Sequence, residues 1–149
     1  MKPMDQALIE AEAAALEDEV PVGAVILKDG KIVSTGKNAR EKLQSPSAHA
    51  EMIAIEAAAK SLDSWRLDGC ELYVTLEPCP MCLAAAQQAR ISKIIYGASD
   101  PKGGAISLGY KLHEDQRTNH RFSVVLESDE RCGKILTEFF RKKRKSSTD

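Results

Sequence analysis

Two short stretches of this chain carry residue types that could do chemistry together: His49-Ala50-Glu51 and Pro78-Cys79-Pro80-Met81-Cys82. Imidazole nitrogen and thiolate sulfur are donors that zinc takes in tetrahedral geometry, and a catalytic zinc keeps one of its positions open. His49, Cys79 and Cys82 supply three such donors, enough for one Zn2+ per chain with a fourth position left over. The two cysteines stand three residues apart, so on a helical turn both sulfurs face one side. A helix N-terminus beneath them lowers thiol pKa values toward the metal-binding thiolate. Glu51 follows His49 by two residues, which sets a carboxylate beside the open position without making it a ligand. A carboxylate there can take a proton from water and hand it to a leaving amine. In outline this is a site for hydrolytic deamination.

Other readings of the same residues remain open at this point. A structural zinc needs a fourth donor, and Cys70, Cys132, His113 or His120 could supply one. A thioredoxin-type redox pair would account for Cys79 and Cys82 but gives His49 and Glu51 nothing to do. Cys70 and Cys132 otherwise read as small buried hydrophobes. His113 and His120 read as loop or structural residues, and Glu77 as a hydrogen-bonding acid that cannot easily reach a metal. Either half of the pattern alone is weak. In order, His-x-Glu followed by Pro-Cys-x-x-Cys is the signature of zinc-dependent nucleobase deaminases.

The elements that must position these residues can be read from periodicity. Residues 5–18 are dense in strong helix formers with acids in the first turn. Residues 20–27 and 31–36 read as antiparallel strands around an Asp29-Gly30 turn. Residues 38–47 form a polar loop, and a helix follows over 48–60 with Ser47 as its N-cap. A connector holding Trp65 leads to a strand over 71–76. Pro80 suits the first turn of a helix running to about Arg90. A strand over 93–97, a long loop over 99–120, a strand over 122–126 and a helix from Asp129 to about Lys145 complete the chain. A loop that long in a compact domain is usually functional. The alternation predicts an α/β sheet with helices on both faces, in a single domain over 1–149.

A length of 149 residues, 43% hydrophobic and 29% charged, is that of a soluble globular domain and excludes disorder and collagen-like structure. No apolar run approaches a membrane span. The start, Met1-Lys2-Pro3-Met4-Asp5, lacks an apolar signal core, so a cytoplasmic location without membrane attachment is expected. Net charge is −1 overall but unevenly spread: residues 1–75 hold eight basic and 13 acidic side chains, residues 76–149 hold 13 and nine. Much of the second-half excess is the run Arg141-Lys142-Lys143-Arg144-Lys145, either a footprint for phosphates or a solvated helix end.

Longer stretches resemble one family closely, the bacterial tRNA-specific adenosine deaminases. These are Val20-Pro21-Val22-Gly23-Ala24-Val25, Gly36-Lys37-Asn38, the segment 72–82 around the cysteines, 96–105, Asn119-His120-Arg121 and Glu138-Phe139-Phe140-Arg141. The resemblance spans roughly residues 5 to 145. It implies a cytidine-deaminase-like, three-layer α/β/α fold with a five-stranded mixed sheet. It also implies a homodimer acting on a tRNA anticodon stem-loop, converting adenosine to inosine at the wobble position. Carried over by position, His49, Cys79 and Cys82 would hold zinc and Glu51 would shuttle protons. Asn38 would hydrogen-bond the flipped base, with Ala50 and Lys102 also among the substrate contacts. Asp100 would sit near the ribose, and Phe140 and Arg141 would help form the anticodon-loop surface.

Pro80 and Leu83-Ala84-Ala85-Ala86 also fit guanine and cytosine deaminases of the same superfamily. The segment Ser107–Leu112 lacks an acid that the tRNA branch often shows there. A free-base or nucleoside deaminase is therefore the rival enzyme, and a non-catalytic RNA-binding zinc module is the rival of another class. The basic second half favours a polyanionic substrate over a free base, and Glu51 has no purpose in a purely structural zinc site.

Overall fold

The computed structural model describes residues 1–148, with side chains described through Lys145. Helix α1 (Pro3–Leu16) opens the chain. Strands β1 (Gly23–Lys28) and β2 (Lys31–Lys37) follow as a hairpin. At its turn Asp29 and Gly30 take φ of 51° and 77°, the paired positive values that match the right-handed strand twist. A four-residue helix α2 (Arg40–Leu43) lies in what the sequence reads as plain loop. Next come α3 (Ala50–Ser61), β3 (Cys70–Val74), α4 (Pro80–Gln88) and β4 (Lys93–Tyr96). The long loop after β4 holds one short 3-10 turn over Leu112–Glu114 before β5 (Ser123–Leu126) and α5 (Glu130–Thr148).

The five strands lie in the order β2-β1-β3-β4-β5. β1 runs antiparallel to β2 and β3, whereas β3, β4 and β5 are parallel, so the sheet is mixed. Alternation along the strands sends Ala24, Ile26, Leu72, Val74 and Ile94 into the larger core under α3 and α4. Val25, Leu27 and Tyr73 point the other way, against Ala7 and Met4 of α1, and α5 packs beside α1 on that face. Helices thus cover both faces in three layers, as the element order predicts.

The helix that starts with the His-Ala-Glu stretch is held unusually close to the sheet. A Cβ on Gly36 would stand 2.2 Å from the Ala50 carbonyl oxygen and 2.8 Å from the Ala54 nitrogen, so only a bare Cα allows α3 to seat on β2 there. Ser34 adds a bond to the same helix, its hydroxyl donating to the Ala54 carbonyl at 2.7 Å. The N-cap is His49, in extended conformation, two residues later than Ser47. Ser47 lies in a turn, where its carbonyl accepts the His49 N–H at 2.8 Å.

Candidate metal centre and substrate cavity

Both chemistry-bearing stretches sit at helix starts, one after edge strand β2 and one after central strand β3. His49 is the N-cap of α3, and Cys79 is the N-cap of α4 with Pro80 in its first turn. Neither cap side chain makes a capping hydrogen bond to its helix backbone. They face each other instead: His49 Nδ1 stands 3.5 Å from Cys79 Sγ and 3.5 Å from Cys82 Sγ. One donor atom from each of the three residues lies within 4.8 Å of the others, and among the described residues no further His, Cys, Asp or Glu joins the group. Cys70 and Cys132 are buried elsewhere. His120 Nε2 meets the Ile91 carbonyl at 2.7 Å and its ring stacks on Phe122. His113 packs edge-on against the same phenylalanine. The fourth protein donor that a structural zinc site requires is not supplied by any of them.

The donor set suits zinc chemically. A hydrogen bond from the Cys82 thiol, aided by the His49 ring, holds Cys79 down to about 4. Cys82 moves the opposite way, pushed up by its bond to Cys79 and by burial. Metal binding at such a pair requires both sulfurs as thiolates, so a bound cation would release the remaining thiol protons. The hydrogen bond to Cys79 raises His49, against the effect of its burial. The N-terminal N–H groups of α3 and α4 contribute further positive potential.

Glu51 sits in the first turn of α3, buried beside this group, and burial pushes its carboxyl up to about 7. A carboxyl that exchanges its proton near neutrality matches the requirement for a general acid–base group. His49, Ala50, Glu51 and Cys79 line a cavity of about 160 Å³ together with Val20, Val22, Asn38, Arg40, Leu76, Glu77 and Asp100. That is below the ~300–1,000 Å³ of a drug-sized pocket, so the cavity suits a small group rather than a large ligand.

The residues expected to touch substrate divide into three groups. Asn38, Ala50 and Asp100 line the cavity. Asn38 spends one amide N–H on the Val20 carbonyl and accepts the Arg40 N–H, which leaves an amide N–H and a carbonyl lone pair to spare. The Asp100 carboxylate accepts the N–H groups of Lys102 and Gly103, so it shapes its own turn as well as facing the cavity. Phe140 lines an outer groove that shares Val20, Asn38 and Arg40 with the cavity. Lys102 and Arg141 are exposed and line neither.

Three residues of the site are absent from the sequence reading in these roles. Arg40 lines both cavity and groove. Buried Glu19 accepts the N–H groups of Glu41 and Lys42 at 3.0 and 2.7 Å, pinning α2 beside Asn38. Glu77, read only as a hydrogen-bonding acid, ties down the loop after β4. The donors to Glu19 lie 22 and 23 residues away, and no local pattern announces them.

A family model described as MafB19-like deaminase matches residues 1–144. The tRNA-specific adenosine deaminase of Bacillus subtilis (strain 168) is 46% identical over 143 residues, which is 95% of this chain and 89% of that one. The chain belongs to the tRNA-specific adenosine deaminase family. A solved structure from work on A-to-I editing by tRNA:A34 deaminases at the wobble position aligns with TM-score 0.84 and 41% identity, over 90% of this chain and 98% of the other. A guanine deaminase structure from Bacillus subtilis aligns with TM-score 0.64 and 32% identity, over 95% of this chain and 92% of its own. The architecture is therefore cytidine-deaminase-like, and by both measures the chain is nearer the A34 deaminase than the guanine deaminase.

Proposed function

We propose that this protein is a zinc-dependent hydrolytic deaminase that converts adenosine to inosine at the wobble position of a tRNA anticodon. The observation that carries the reading is the convergence of His49, Cys79 and Cys82 with a buried, non-ligating Glu51 that lines a small cavity. The family supports tRNA as the substrate. In this reading residues 1–149 act as one deaminase domain and hold one zinc per chain through His49, Cys79 and Cys82. Zinc bound there supplies the Lewis acidity that makes water a nucleophile at neutral pH.

The chain's own groups do the rest. Glu51 takes a proton from the attacking water and delivers it to the leaving amine, so adenosine and water become inosine and ammonia. The Asn38 amide, with a donor and an acceptor to spare, reads the edge of a base extruded into the cavity. The Ala50 N–H, in the first turn of α3 and without an intrahelical partner, is a second donor. Asp100 meets the ribose at the rim. Phe140 offers an aromatic face to a neighbouring base, while Lys102 and Arg141 reach the phosphates from farther out.

The same reading makes the protein a cytoplasmic homodimer. Its four cysteines are all unpaired, as suits a reducing compartment. No helix among the described residues is long and apolar enough to cross a membrane. The deciding experiment offers the purified protein an anticodon stem-loop with adenosine at the wobble position, alongside guanine and cytosine. Inosine in the sequenced stem-loop is the expected result. Turnover of guanine alone would overturn the reading in favour of the free-base enzyme.

A further inference from the structure

We infer that Glu77 is a positioning residue that locks the substrate loop 100–107 onto the turn carrying Cys79, and that loop docking through its carboxylate sets substrate affinity. The inference rests on the proposed deaminase reading for its substrate. Glu77 is 3% exposed, yet no lysine or arginine pairs with it among the described residues. Its charge is met by loop donors instead. Oε1 accepts the Asp100 N–H at 3.0 Å and the Ser107 hydroxyl at 2.6 Å, and Oε2 accepts the Ser107 N–H at 2.8 Å. Both ends of the loop are thus fastened to one side chain. Bonds to a charged acceptor are the strong ones, and a buried carboxylate that loses its donors is heavily penalised.

The loop backbone packs tightly on this carboxylate. A Cβ on Gly104 would lie 2.0 Å from Glu77 Oε2, so the loop backbone passes directly over the carboxylate. Beside it the Ala105 N–H donates to the Pro78 carbonyl and the Glu77 N–H to the Ala98 carbonyl, each at 2.8 Å. Residues 77 and 78 thereby hold the loop while residue 79 faces the metal group. The loop in turn holds Asp100 against the cavity. Because backbone N–H groups meet both carboxylate oxygens, a glutamine at 77 must turn its NH2 toward a donor in either orientation. Glu77→Gln is therefore a disruptive change despite its matching shape.

The test uses the zinc-loaded enzyme and compares Glu77→Gln, Gly104→Ala and Ser107→Ala with wild type. Gly104→Ala pushes the loop off from its own side with the carboxylate intact. We expect KM for the anticodon stem-loop to rise about tenfold in the first two variants and less in Ser107→Ala, with zinc content kept. Their double variant should be no worse than the worse single one, since both break the same docking. Lys102 is an exposed trypsin site within the loop, so cleavage after it should run about tenfold faster in both variants, as local opening becomes easier. Unchanged KM and unchanged cleavage at Lys102 would overturn the inference. Zinc lost in step with activity would also overturn it, placing the role of Glu77 in the metal turn alone. A wild-type enzyme that does not edit the stem-loop would instead strike the functional reading, while the proteolysis comparison would still decide whether Glu77 docks the loop.

Discussion

At the scale of single residues, the division of labour at the metal group makes separable predictions. Glu51 lies beside the ligand atoms without joining them, so Glu51→Ala should keep its zinc and its fold while losing turnover. General acid–base groups contribute about 10²–10⁴-fold; zinc content and single-turnover rate measured on the same preparation check both halves. Near-wild-type turnover would place the proton shuttle elsewhere. Cys79→Ala/Cys82→Ala removes two of the three convergent donors and should lose the metal, with thermal stability falling because ligand binding and folding are coupled. Stoichiometric zinc in that double variant would refute the ligand set. These residues were legible in the sequence because their types are chemically restrictive and their spacings fit helix starts. Glu19 and Glu77 were not legible in their roles. Their partners are backbone N–H groups of distant loops, and a backbone donor leaves no mark on the residue letters.

At the scale of elements, the strands and long helices follow from alternation and helix-forming composition, and departures occur where local chemistry is subordinate to the site. Helix α2 is only four residues long and none of them is buried, so it has no apolar period to read. Its place is set by the Glu19 carboxylate, which satisfies two of its first N–H groups. Ser47 has the side chain of an N-cap, yet α3 begins after His49, whose imidazole is committed to the two sulfurs rather than to capping. Gly36 belongs to the same device, since it lets α3 sit on β2 and so sets the height of His49 and Glu51 above the sheet. Gly36→Ala drives a Cβ into the Ala50 carbonyl. We expect a loss of about 3 kcal/mol or more, at the upper end of overpacking costs, together with reduced zinc affinity because the helix start must move. Denaturant unfolding and zinc titration measure the two. A variant with wild-type stability would show that α3 can shift without strain.

At the scale of the whole molecule, charge distribution separates an enzyme for a polyanion from one for a free base. The net charge of −1 conceals a basic run at the end of α5, and Phe140 of that helix lines the groove that adjoins the cavity. Not all of this charge is equally available. Lys143 donates to the Asp18 carboxylate at 2.6 Å and lies 5.7 Å over the Phe139 ring, so part of its role is to dock α5 beside the residues that precede β1. Arg141 and Lys142 are exposed on the same helix. If the anticodon loop lies across this end, replacing Arg141, Lys142, Arg144 and Lys145 with Gln should weaken stem-loop binding and flatten its dependence on salt. Each lost phosphate contact should reduce the slope of log affinity against log salt by roughly 0.7, the counterion release of single strands. Adding Lys143→Gln to that set should also remove the contacts of Lys143 with Asp18 and Phe139, visible as a further fall in melting temperature. Chemistry at the metal group should be little altered, since its residues lie on other elements. Binding measured at several salt concentrations decides the matter: an unchanged affinity and an unchanged slope in the four-residue variant would reduce the run to a solvated helix end and shift weight toward a free-base substrate.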